Sequence, residues 1–168
     1  MQGKHLISLA IATWAVAAVS PAIAQNSVKG VGGKTACELL SAAEIRQAAG
    51  GRDVARKTEH LDADTAVSSN CQYWGAFDIT LHIGTETKVM FGRVRDNYAK
   101  APARLGYTVE SISGLGDEAY YLVYKGKVEV RALRGDKELA VSLSGSLPPD
   151  AEAKKIALAI AKAAAAKL

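Results

Sequence analysis

Apolar and polar positions change period several times along the chain, and each change marks an element. Phe77, Ile79, Leu81 and Ile83 alternate with Asp78, Thr80 and His82, the period of two that signals a half-buried strand with its apolar set inward. Between Glu86 and Ala101, Met90, Val94, Tyr98 and Ala101 recur at near-helical spacing, with Lys88, Arg95, Asp96 and Lys100 largely off that stripe and Pro102 marking the end. After a short strand from Tyr107, strand-like runs near 119–124, 128–133 and 138–144 are separated by Lys125-Gly126 and Gly135-Asp136, dipeptides suited to tight turns, so an antiparallel meander is expected. Pro148-Pro149-Asp150 then opens a helix that places Ala153, Ile156, Ala157, Ile160 and Ala164 on one face.

The first half reads less sharply. Leu39 to Gly50 predicts a short helix, with Ser41 as N-cap, Glu44 completing a capping box and Gly50-Gly51 as the stop. Arg52 to Leu61 reads as a strand, and a polar loop from Asp62 to Asn70 leads into Cys71-Gln72-Tyr73-Trp74. The order of helix, strands, helix, strands, helix lacks βαβ patterning. The expected class is therefore α+β: an antiparallel sheet with a terminal three-stranded meander, packed by about three helices.

The N-terminal segment belongs to a different category. Lys4 precedes an apolar run from Leu6 to Val19, followed by Ser20-Pro21 and the small residues Ala22 and Ala24, the order of a secretory signal. The run is shorter than the roughly 20 apolar residues that a permanent span needs, so cleavage after Ala24 is expected and residues 1–24 are read as a signal peptide. Residues 25–35, rich in Gly and polar side chains, read as a flexible leader, and residues 36–168 as a single domain. The first cysteine, Cys37, lies too far beyond Ala24 to carry a lipid, so no stable membrane anchor is expected after cleavage.

Export changes the reading of the cysteines. Cys37 and Cys71 are the two in the chain, and an even count in an oxidising compartment argues for a structural bridge rather than free thiols; no C-x-x-C suggests a redox pair. The formal charge of +4 falls to +3 once Lys4 leaves. This mild excess is scattered rather than gathered into a nucleic-acid stripe, so no nucleic-acid partner is expected.

Candidate chemistry is sparse. Gly32-Gly33-Lys34-Thr35 fails as a phosphate loop, because the required earlier glycine is replaced by Val28 and no strand precedes it. Arg134-Gly135-Asp136 reads as a hairpin turn. His60 and His82 belong to no metal-spaced pair, and no G-x-S-x-G elbow offers a nucleophile. Asp117 and Glu118 are adjacent, so on a strand they point to opposite faces and do not share a substrate. No catalytic residue, metal ligand or cofactor is assigned. The residues retained as candidates for ligand binding are Arg93 and Arg95 on a basic helix, Trp74 among aromatics that can line a pocket, and Asp117 in the Ser113–Asp117 loop.

Three short pieces carry a resemblance: Cys37-Glu38-Leu39-Leu40, Cys71-Gln72-Tyr73-Trp74, and Gly114-Leu115-Gly116-Asp117-Glu118-Ala119-Tyr120. Together they resemble a group of small exported bacterial proteins of unknown function, common among actinobacterial lipoproteins, over most of residues 36 to 145. The resemblance implies a disulfide between the two matching cysteines and an α+β domain outside the cytoplasm, with no catalytic residues to transfer. This chain departs from the lipoproteins in lacking a lipidated Cys. The expectation is an exported, periplasmic or secreted, non-catalytic binding or accessory domain, engaging a small ligand or an envelope protein through a groove beside the sheet or through the basic helix. A small envelope-acting hydrolase and a structural subunit of an envelope assembly are the alternatives.

Overall fold

Residues 34–61 and 68–168 are described in a computed structural model, the side chains of residues 56–61 excepted. The signal and most of the leader expected at residues 1–33, and most of the loop expected before Cys71, lie outside the described residues. The elements run α1 (Ala36–Leu39), α2 (Ala42–Ala48), β1 (Val54–Leu61), β2 (Ser69–Gly75), β3 (Asp78–Thr85), α3 (Lys88–Ala99), β4 (Thr108–Ser111), β5 (Glu118–Tyr124), β6 (Lys127–Arg134), β7 (Lys137–Ser144) and α4 (Asp150–Ala165), with a 3-10 turn at Ala103–Leu105. The strands form one antiparallel sheet in the order β1-β2-β3-β7-β6-β5-β4. The α+β class holds.

Alternation along the strands makes the two faces of the sheet chemically different. Ile79, Leu81 and Ile83 of β3, Val128 and Val130 of β6, and Leu139, Val141 and Leu143 of β7 are buried together with Ala153, Ile156, Ala157, Ile160 and Ala164 of α4. The apolar stripe expected of the last helix is therefore the one that covers the sheet. Leu39 and Leu40, at the end of α1, and Ile45 of α2 join the same core, so α1, α2 and α4 all serve one face.

Local polar contacts pin that layer. Ser41 and Glu44 form the expected capping box, and Glu44 pairs with Lys167 just beyond α4. α1 was not separated from its successor in the sequence. Its first residue donates Ala36 N–H to the buried Ser69 Oγ at 2.6 Å, Tyr73 Oη donates to the Leu40 carbonyl at 2.7 Å, and Cys37 is bridged to Cys71. Three bonds thus fasten a helix of 4 residues that is too short to be stable alone.

The opposite face is covered only in part. Phe91 of α3 is fully buried against Tyr120, Leu122 and Leu133, its ring centroid 5.2 Å from that of Tyr120. Tyr107 stacks between Tyr98 and Tyr124, with centroids 5.0 and 4.9 Å away. The inward residues of α3 are thus Phe91 and Tyr98, whereas Met90, expected inside, is 41% exposed. Presenting Phe91 rather than Met90 to the sheet buries an aromatic ring in place of a thioether, the larger apolar gain.

Candidate functional site

α3 sits over the β4–β6 end of its face and stops at Ala99, and among the described residues no helix packs over the same face of β2, β3 and β7. What remains is an open half-face whose side chains are set by strand register. Gln72, Thr80, Ser142 and Glu129 stand directly opposite one another across four strands, and Asn70, His82, Ala140 and Arg131 form the next row. Opposed residues in antiparallel strands share a face at roughly 5 Å spacing, so these two rows make a continuous polar surface.

The surface is concave. Thr80, His82, Ala140, Ser142, Lys127, Glu129 and Arg131 line a depression of about 270 Å³. Thr80 also belongs to a neighbouring one of about 140 Å³ lined with Gln72, Trp74, Asp78 and Ser144. Trp74 is 41% exposed, so part of this residue's surface lies open beside hydroxyl, amide and carboxylate groups.

The charges on β6 and β7 neutralise one another, whereas Asp78 of β3 forms no ion pair among the described residues. Lys127 lies 3.0 Å from Glu129, and Arg131 lies 3.7 Å from Glu129 while pairing with the nearly buried Glu138. Burial works against the Lys127 charge, but the Glu129 carboxylate together with Tyr124 more than offsets it and holds the ammonium above its ordinary pKa. His82 Nδ1 is 2.8 Å from Asn70 Oδ1, a distance that a Nδ1–H donor satisfies. The imidazole has room because Gly84 has no Cβ, which would stand 3.0 Å from His82 Nε2. Among the described residues no group of three His, Cys, Asp or Glu side chains can hold a metal ion.

The ligand-binding candidates drawn from the sequence occupy three separate surfaces. Trp74 lies on the open half-face. Arg93 is exposed on α3 with Nη1 3.6 Å from Met90 Sδ, and Arg95 is held between Asp96 at 2.9 Å and Glu118 at 3.3 Å; both line a shallow basic depression on the helix. Asp117 lies in the loop before β5, its Oδ2 accepting the Gly135 N–H at 2.7 Å.

Sequence reasoning placed Asp78, Thr80 and His82 on one face but missed Gln72, Ser142 and Ser144 as their neighbours. Ser142 and Ser144 alternate with Val141 and Leu143, so their orientation was readable. The pairing of β3 with β7, some sixty residues on, was not.

No family model and no curated protein matches the chain. A crystal structure of a GTP binding regulator from Thermotoga maritima is similar at 12% identity and a TM-score of 0.40, covering 74% of this chain and 90% of that one.

Proposed function

We propose that the chain is an exported, non-catalytic binding domain of the cell envelope, and that the open half-face takes a neutral, polyhydroxylated ligand of the saccharide class. The observation that carries this reading is the juxtaposition of an exposed indole with side chains that donate and accept hydrogen bonds, Asp78 being the one charged group beside it that forms no ion pair among the described residues. Trp74 stands beside Gln72, Asp78, Thr80 and Ser144, and the four charged groups of Lys127, Glu129, Arg131 and Glu138 are mutually paired. A sugar ring has an apolar C–H face and an equatorial belt of hydroxyls. The first suits a rigid aromatic surface, and the second needs a few fixed polar groups.

Export is supported by the N-terminal order of Lys4, apolar run and Ala22-x-Ala24, and by a disulfide of the kind that persists outside the reducing cytosol. An intact mass that begins at Gln25, measured on protein recovered from outside the cytoplasm, is the expected result.

The binding reading is tested by screening the mature protein against fragments of envelope polysaccharides and titrating the best by calorimetry. Binding that weakens at least tenfold in Trp74→Ala, and again in Thr80→Val, supports it. No saccharide bound, or binding indifferent to Trp74→Ala, overturns it.

A further inference from the structure

A second cavity lies away from the open half-face, under the Gly114-Leu115-Gly116-Asp117 loop. Gly116 takes φ +68° and lies so close to β6 that a Cβ would stand 2.4 Å from the Leu133 carbonyl oxygen. The next residue donates Asp117 N–H to that carbonyl at 2.7 Å, while its carboxylate accepts from Gly135 N–H in the β6–β7 turn. The loop is thereby fixed to the hairpin. Between them and the last turn of α4 remains a cavity of about 470 Å³, within the roughly 300–1,000 Å³ of small-molecule sites.

Its floor and rim differ in character. Leu115, Ala132, Leu139 and Ala165 supply apolar walls, whereas Arg134, Lys137 and Lys162 bring three cations from β6, β7 and α4. Asp117 is the one acidic side chain in the lining, and it accepts from Gly135 N–H. Lys137 Nζ lies 3.5 Å from the Leu168 carbonyl oxygen. Arg134 and Lys162 form no ion pair among the described residues. The Asp117 carboxylate and the roughly half a negative charge at the C-terminal end of α4 are together smaller than the three positive charges of Arg134, Lys137 and Lys162. An apolar chamber with a positive rim selects a molecule that has both parts.

We infer that this cavity is a binding site for an amphipathic anion, a carboxylate or phosphate head on an aliphatic chain. The head lies against Arg134 and Lys162, and the chain runs over Leu115 and Leu139. The test titrates isotope-labelled mature protein with dodecanoate and with dodecyl phosphate, below their micelle concentrations, and follows backbone amides by NMR. Saturable shifts at Leu115, Gly116 and Ala165 are expected, with the tighter of the two probes naming the head group. Both cations are exposed, so Arg134→Gln/Lys162→Gln leaves the fold intact and is expected to weaken binding at least tenfold. Dodecanol and acetate, which lack the charge and the chain respectively, are each expected to bind at least tenfold more weakly. The inference is overturned by an absence of saturable shifts, by shifts confined to the open half-face, by dodecanol or acetate binding as well as dodecanoate, or by a double variant that binds normally.

Discussion

Arg131 and Glu138 pair diagonally across two strands: Arg131 stands opposite Ala140 and Glu138 opposite Leu133, yet Arg131 Nε reaches Glu138 Oε1 at 2.9 Å. The pair marks the boundary between the covered and open halves of the sheet face, with the guanidinium carbon 5.9 Å from the Phe91 ring centroid. Side-chain exposures are 17% and 7%, so removing Glu138 leaves Arg131, where water reaches it poorly, with only the longer 3.7 Å contact to Glu129. Glu138→Gln is expected to cost about 3 kcal/mol, the lower end of what breaking a buried pair costs. Arg131→Met/Glu138→Leu is expected to recover most of that loss. Urea unfolding of the three proteins checks both statements, and a single-variant loss below about 1 kcal/mol would show that solvent already relieves the pair.

The Cys37–Cys71 bridge closes a loop with a sequence separation of 34. In the chain-entropy account such a loop restricts the unfolded chain by roughly 3–4 kcal/mol. Replacing both cysteines by Ala is expected to lower the melting temperature by about 10 °C in a domain of this size. α1 is held to β2 by this bridge and two hydrogen bonds, so the amide protons of Cys37 and Leu39 should lose exchange protection first.

Gly114 and Gly116 adopt nearly the same backbone angle, φ +75° and +68°, in different surroundings. A Cβ at Gly114 meets nothing within 4 Å, whereas one at Gly116 collides with the Leu133 carbonyl. Alanine at either position incurs the conformational penalty of order 1 kcal/mol for a left-handed residue. The steric term falls on Gly116 alone. Gly116→Ala is therefore expected to destabilise by at least about 2 kcal/mol more than Gly114→Ala, measured side by side in denaturant. Equal losses would mean that the loop moves off β6 without penalty.

Much of this architecture is legible from periodicity, because a face that packs must repeat in the sequence. Ile79, Leu81 and Ile83 announce β3, and the Ala153-to-Ala164 stripe announces the helix that covers the core. Capping chemistry located α2 through Ser41 and Glu44. The failures have physical causes. α1 depends on the bridge and on Ser69 and Tyr73, partners more than thirty residues distant; its one local signal is the capping box of Thr35 and Glu38. On α3 the expected stripe holds at Tyr98 and fails at Met90, because the adjacent Phe91 has the larger apolar surface to bury. The open half-face is a product of sheet order. Nothing near Thr80 in sequence reveals that Ser142 stands opposite it or that α3 stops short of both. Lys127, Glu129 and Arg131, alternating along β6, were a readable row of charges whose partner Glu138 lies on the next strand.

Tyr120 provides a pH-dependent test of the α3 layer. Its ring is buried under Phe91, and its hydroxyl makes no hydrogen bond among the described residues. Burial pushes the phenol pKa up to about 12, against a partial opposing pull from the Arg131 guanidinium. Because the folded protein holds this proton more tightly than the unfolded chain does, the contribution is fully present below pH ~10 and is lost as pH rises from there toward 12. Tyr120→Phe removes the titration. At neutral pH it is expected to be neutral or stabilising by up to about 1 kcal/mol, since an unpaired buried hydroxyl is replaced by hydrogen. Above pH 10 its stability should decline less steeply than that of the parent, the difference reaching on the order of 2 kcal/mol by pH 12. Parallel urea titrations at pH 8, 10 and 11 read that difference directly. Superimposable pH profiles would mean that water reaches the hydroxyl and that α3 does not seal the face it covers.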